Sequence, residues 1–278
     1  MTPFGTRLRA AMDTRGPLCV GIDPHSSLLA GWGLNDDVPG LERFAMTVVE
    51  ALAGEVAVLK PQSAFFERFG SRGVAVLEKA VTAAREAGAL VLMDAKRGDI
   101  GSTMAGYASA FLDKDSPLFS DALTVTPYLG YESLRPALDA AHVSGTGIFV
   151  VTLTSNPEGG EVQRATAADG QTVGQVMLGH IAAENGGAEP LGSVGAVVGA
   201  TLADAGADLM INGPLLAPGI GAQGATPADL PAVFGPALRN VVPSASRSVL
   251  QAGPDAGALR KTAAQLADEV RIAVGQSG

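Results

Sequence analysis

The run Asp94-Ala95-Lys96-Arg97-Gly98-Asp99 sets two carboxylates around one ammonium. It follows Val91-Leu92-Met93, an apolar stretch that reads as a buried strand. Side chains two apart on a strand point the same way, so Asp94 and Lys96 share a face, and Asp99 falls in the turn beyond. An ammonium between carboxylates is stabilised in its charged form. The cluster predicts a cation fixed beside anions at a strand end, where a ligand can reach it. Its structural alternative is an ion-pair network at a sheet edge. Arg supplies most of the 19 basic residues, yet Lys60 and Lys96 both follow apolar runs. Lys can release a proton at an accessible cost, whereas Arg effectively cannot.

The elements that must position these groups are read from hydropathy. Apolar runs at Leu18–Asp23, Val56–Lys60, Val91–Asp94, Ala122–Thr126, Gly147–Leu153, Ala196–Ala200, Leu215–Pro218 and Asn240–Pro243 read as strands. Helical patterns lie between them. Asp37 and Pro39 open one with Leu41, Ala45, Val48 and Leu52 on a stripe. Val74, Leu77 and Val81 mark a second, Ser102–Leu112 a third, and Leu259, Ala263, Leu266 and Val270 the last. Continuous apolar strands joined by helices imply a parallel sheet covered on its faces. Eight units in 278 residues predict a single-domain (β/α)8 TIM barrel over residues 1–278. A doubly wound open sheet is the second choice, weakened because no Gly-x-Gly-x-x-Gly follows the first strand. The Gly-rich stretch Gly186–Gly192 reads as a loop before the sixth strand, and residues 158–193 receive no chemistry.

In a barrel, the C-terminal strand ends face one mouth, where active sites lie. Asp23, Lys60, Asp94, Lys96, Ser155, Pro218 and Arg247 all fall at or just past such ends. The loops after strands seven and eight, Pro218–Gly224 and Ser244–Arg247, suit a phosphate. Glycine permits close backbone approach, and Arg grips through two hydrogen bonds.

Composition narrows the function further. A formal net charge of −9 disfavours a nucleic-acid partner but leaves room for a local basic pocket that takes an anionic small molecule. No apolar stretch is long enough to suggest a membrane span, and Met1–Arg7 lacks a signal-peptide core. The one cysteine, Cys19, excludes an internal disulfide framework and suits a reducing cytoplasm. It lies in an apolar strand and reads as core, as do Trp32, Phe65 and Phe66. His25, His142 and His180 have no zinc-ligand spacing.

With these residues in view, the chain resembles the orotidine 5′-phosphate decarboxylase family. Asp94 to Thr103 is similar to the family signature. Gly21-Ile22-Asp23-Pro24, Leu59-Lys60-Pro61, Gly195–Thr201 and Ala217–Gly224 resemble its other blocks in the same order. The Asp94–Asp99 wording and the length resemble the longer bacterial (type 2) branch. The resemblance implies a charged array of Lys60, Asp94, Lys96 and Asp99, with Lys96 as the lysine that protonates the substrate carbon. It implies ribose contacts from Asp23 and Lys60, a pyrimidine contact from Ser155, and a phosphate grip from Gln223 and Arg247, with Pro218 and Ser246 beside it. Asp99, Ile100 and Thr103 correspond to residues that reach into the neighbouring subunit's site. A homodimer with shared sites, no metal and no organic cofactor are implied too, with Gly219–Gly224 as a candidate lid.

The reaction so implied turns orotidine 5′-phosphate into uridine 5′-phosphate and CO2. Two other readings stay open at this stage. One is a related barrel decarboxylase that uses Mg2+ on a sugar-acid phosphate, although Lys60-Pro61 occupies the strand end where a further acidic ligand is wanted. The other is a non-catalytic nucleotide-binding barrel, which would not need the four charged residues. A Schiff-base lyase fits poorly, because nucleophilic amine chemistry needs the neutral form.

Overall fold

The structure, a computed structural model, describes residues 1–202 and 205–275. Eight strands, β1 (Cys19–Ile22), β2 (Val58–Pro61), β3 (Leu90–Arg97), β4 (Ala122–Val125), β5 (Gly147–Leu153), β6 (Val194–Val198), β7 (Leu215–Ile220) and β8 (Val241–Ala245), pair in parallel and in chain order, and β8 closes on β1. This is the expected (β/α)8 barrel, and closure removes the open-sheet alternative.

The helices are α1 (Phe4–Arg15), α2 (Ser26–Gly31), α3 (Val38–Leu52), α4 (Ala64–Glu67), α5 (Gly70–Glu86), α6 (Gly101–Leu112), α7 (Arg135–Ser144), α8 (Gly160–Gln163), α9 (Val173–Glu184), α10 (Leu230–Phe234), α11 (Arg247–Leu250) and α12 (Ala256–Ala273). Among the described residues, none is long and apolar enough to cross a membrane. The Asp37 side chain caps α3 by accepting from the Gly40 amide at 2.8 Å. The expected stripe of Leu41, Ala45, Val48 and Leu52 is buried. In α5 the buried face runs through Val76, Leu77, Ala80 and Val81, with Val74 at its margin. In α12 it uses Ala267, and Leu266 is half-buried.

Several features depart from the sequence pattern. β3 continues past Asp94 to Arg97 through an irregularity in its pairing with β4. The β6–β7 connection has no helix among its described residues; it carries Gly199, Gly206, Gly213 and Pro214, all poor helix formers. The α1 helix was not marked by a strong stripe, yet Phe4, Leu8 and Met12 on it are buried. They join Leu92, Phe149, Leu216 and Val242 in an apolar cluster. α1 thus closes the N-terminal end of the barrel, and its Arg7 pairs with Asp121, which also accepts from the Val91 amide.

The second and larger cluster fills the space between barrel and helices. It takes in Trp32, which packs against the tilted ring of Phe44 and donates to the Leu250 carbonyl at 2.8 Å. Phe66 is buried, and Phe65 packs against the cluster. Cys19 lies in the interior cluster, and burial pushes its thiol up to about 12, so it stays protonated and acts as core.

Candidate active site

The barrel interior changes character two residues along four of the strands. Val58 gives way to Lys60 on β2, Leu92 to Asp94 on β3, Ala122 to Thr124 on β4 and Val242 to Ser244 on β8. Period-two alternation keeps all of these on the inner face. The lower layer is buried and apolar. The upper layer lines a cavity of about 340 Å3 at the C-terminal mouth.

Asp94 is the centre of the charged array. Its Oδ1 accepts from the Lys96 ammonium at 2.6 Å and its Oδ2 from the Lys60 ammonium at 3.1 Å. Thr124 Oγ1 lies 3.0 Å from Oδ1. Within one chain, therefore, a carboxylate sits between two ammoniums, where the sequence suggested an ammonium between two carboxylates. Asp99 instead accepts from the following Ile100 amide at 2.8 Å.

The two lysines differ in exposure. The Lys60 side chain is 8% exposed and that of Lys96 48%, so both line the cavity but Lys96 is the more open of the two to a ligand. Burial opposes the Lys60 charge, but Asp94 and Asp23 outweigh it and hold the ammonium above the ordinary lysine range. Burial likewise opposes the Asp94 charge, and the Lys60 and Lys96 ammoniums outweigh it, leaving the carboxyl below its usual range. Lys96 has φ of +47°, a left-handed conformation that a side chain rarely adopts. Strain of this kind persists where the surroundings enforce it, and it concentrates at functional sites.

Asp23, Ser155, Pro218, Gln223, Ser246 and Arg247 line the same cavity. Asp23 Oδ1 and Ser246 Oγ are buried with no hydrogen-bond partner among the described residues, which marks them as groups that await one. Gly21 makes room for both: a Cβ there would stand 2.6 Å from Asp23 Oδ2 and 2.9 Å from Ser246 Cβ. On the neighbouring β7 loop, close to Ser248, Gly221 has φ of +79° and turns back on itself, its amide donating to the Ala225 carbonyl at 2.7 Å. This turn presents exposed Gln223 beside Arg247.

Three expected residues stand apart. Asp99, Ile100 and Thr103 do not line the cavity, and Ile100 and Thr103 are exposed. The cavity also uses residues the sequence did not mark, among them Gln62, Thr124, Thr154 and Asn156. The Ser155 loop is held by Gln163 of α8, which accepts from the Thr154 amide at 2.8 Å and donates to its hydroxyl at 2.7 Å. The stretch left without chemistry thus supports the cavity wall. Only the period-two position of Thr124 on a strand could have pointed to it. Among the described residues, no group of three or more His, Cys, Asp or Glu is placed to hold a metal ion.

A family model described as orotidine 5′-phosphate decarboxylase / HUMPS family matches residues 16–262. The chain belongs to this family. The orotidine 5′-phosphate decarboxylase of Streptomyces coelicolor is 74% identical over 275 residues, covering 99% of each chain. That of Salinispora arenicola is 62% identical over 275 residues, again covering 99% of each. A crystal structure from Streptomyces avermitilis named for the same enzyme superposes with a TM-score of 0.97 at 73% identity, covering 99% of this chain and 97% of that one. The orotidine 5′-phosphate decarboxylase fold of that structure is the closed barrel described above.

Asp94→Asn should destabilise the protein by about 3 kcal/mol at neutral pH, because it leaves the buried Lys60 ammonium without its counter-charge. The lowered carboxyl contributes stability that is fully present above its unfolded value near pH ~4 and is lost as pH falls through its folded value. The deficit of the variant should therefore begin to narrow as pH falls below about 4 and go on narrowing toward the lower folded value. Urea unfolding of both proteins across this range measures it, and a deficit that does not change with pH would show that the Asp94 charge is not what stabilises the site.

Proposed function

We propose that this protein decarboxylates orotidine 5′-phosphate to uridine 5′-phosphate, the last step of de novo UMP synthesis, as a cytoplasmic homodimer that uses neither metal nor organic cofactor. Residues 1–278 form one catalytic unit in this reading. The observation that carries it is the Lys60–Asp94–Lys96 array, with the Lys96 ammonium open to the cavity, at the mouth of a barrel whose opposite rim carries Gln223 and Arg247.

The substrate is an anion at both ends. Arg247 and Gln223 take the phosphate, and the Gly219–Gly224 turn closes over it. The unpartnered oxygens of Asp23 and Ser246 suit hydroxyl groups, with Asp23 and Lys60 on the ribose and Ser155 on the pyrimidine. This leaves the ring carboxylate near Asp94 and C6 near the Lys96 ammonium.

Cleavage of the C6–carboxylate bond leaves its electron pair on C6 in the ring plane, where no adjacent π system delocalises it. CO2 departs neutral. The Lys96 ammonium stabilises the developing charge because Asp94 already holds it in place, so little reorganisation is needed during the reaction. A proton then passes from Lys96 Nζ to C6, and the neutral amine regains one from solvent. Repulsion between Asp94 and the substrate carboxylate falls as CO2 forms, but the preorganised ammonium carries more of the effect. Phosphate binding far from C6 contributes to rate when it drives closure. The Mg2+ reading loses ground, since the Lys60 ammonium occupies the Asp94 oxygen that a divalent ion would use.

Asp99, Ile100 and Thr103 complete the site of the partner subunit. Their position outside their own cavity supports this, as does the exposed apolar surface of Ile100, Tyr128 and Leu129 on the loops that follow β3 and β4.

Purified protein given orotidine 5′-phosphate in the presence of EDTA should bleach the ultraviolet absorbance of the substrate with multiple turnovers. Absence of turnover, or turnover that EDTA abolishes, would overturn the reading.

The shared site has its own test. Lys96→Ala and Asp99→Ala should each be nearly inactive. After subunit exchange, roughly half of the dimers are hybrids with one intact site, so about a quarter of wild-type activity should return. If mass spectrometry shows hybrids and no activity returns, Asp99 does not serve the partner's site.

A further inference from the structure

We propose that Thr124 is a positioning residue that sets both the backbone of Lys96 and the carboxylate of Asp94, a proposal that rests on the decarboxylase reading above. Thr124 is buried on β4, next to β3, on the inner face of the barrel. Its Oγ1 lies 3.0 Å from the Lys96 amide nitrogen, 3.0 Å from Asp94 Oδ1 and 3.5 Å from the Met93 carbonyl.

The direction of these bonds follows from proton count. An amide can only donate, so the Lys96 N–H donates to Oγ1. The hydroxyl then has one proton to give. The Asp94 carboxylate is both nearer and charged, and a charged acceptor makes the stronger bond. The result is a chain from amide to hydroxyl to carboxylate. Asp94 Oδ1 thus receives the Thr124 hydroxyl and the Lys96 ammonium together, while its Oδ2 receives Lys60.

The backbone needs this side chain as well. Pairing between β3 and β4 passes from Met93–Leu123 directly to Arg97–Val125, so β3 bulges over the residues between. Lys96 lies in the bulge with its left-handed φ, and its amide is bonded to the Thr124 hydroxyl in place of a strand carbonyl. A single hydroxyl therefore holds the strained residue and orients the carboxylate that locates its ammonium.

Thr124→Val keeps the branched shape and removes only the hydroxyl; Thr124→Ser keeps the hydroxyl. The valine variant should lose about tenfold or more in kcat, since a displaced catalytic group costs rate steeply, while KM and uridine 5′-phosphate affinity stay within about threefold. The serine variant should recover most of kcat. Amide hydrogen exchange at Lys96 should be slow in the wild type and in Thr124→Ser and faster in Thr124→Val. A purely structural threonine would change melting temperature without this separation of kcat from KM.

A valine variant whose kcat stays within about twofold of wild type, or whose Lys96 amide stays as protected, would overturn the proposal. If the valine variant does not fold, Thr124→Ala against Thr124→Ser carries the same comparison. If the wild type does not turn over orotidine 5′-phosphate, the decarboxylase reading fails by itself, and Lys96 exchange still decides whether the bridge exists.

Discussion

A carboxylate cannot be buried alone, and the site follows from how Asp94 meets that constraint. Taking a charge out of water costs several kcal/mol unless counter-charges and hydrogen bonds replace the solvent. Asp94 obtains both from Lys60, Lys96 and Thr124. Each partner is fixed in turn by the same contact. Lys60 is buried and is held charged by Asp94 and Asp23, and Lys96 reaches into the cavity from a backbone conformation that only a well-packed site would sustain. The geometry of the charged array and its local stability are therefore one set of interactions.

The barrel makes the arrangement possible by dividing its interior. Below the charged layer, Phe4, Leu8 and Met12 of α1 seal the N-terminal end with apolar packing. Above it, the strands end and the loops begin, so polar groups meet the solvent and a ligand can enter. Eight strands each contribute at most one or two inward positions to this layer, so a few substitutions at one end define the chemistry while the other end carries folding. The cations Lys60, Lys96 and Arg247 stand in the cavity against the carboxylates of Asp23 and Asp94. The mouth can thus receive a phosphorylated anion although the chain as a whole is acidic.

Much of this was legible from residue types and spacing. Asp94 and Lys96 had to share a face, Lys60 had to follow a strand, and the Gly219–Gly224 and Arg247 segments had to share a rim once eight strands closed. Spacing marked Asp99 as the second carboxylate of the cluster, resemblance marked Ile100 and Thr103, and the place of all three outside the cavity is a geometric fact that spacing could not supply. Less visible was anything that depended on neighbouring strands. Thr124 looks like an ordinary β-branched strand residue until β4 is registered against the bulge in β3. Gln163 supports the Ser155 loop from a segment with no pattern of its own. The reversal at the centre of the array, a carboxylate between two ammoniums, required the register of β2 against β3, which no single segment encodes.

In the proposed reaction the Lys96 ammonium, located by Asp94, exchanges a proton with C6 of the pyrimidine ring. A group that protonates C6 in one direction must remove the C6 proton in the other. Uridine 5′-phosphate incubated with the protein in D2O should therefore lose its C6 proton signal by NMR. The exchange should vanish in Lys96→Ala under conditions where the nucleotide still binds. Exchange at a comparable rate without the Lys96 side chain would show that another group handles the proton and would contradict the account.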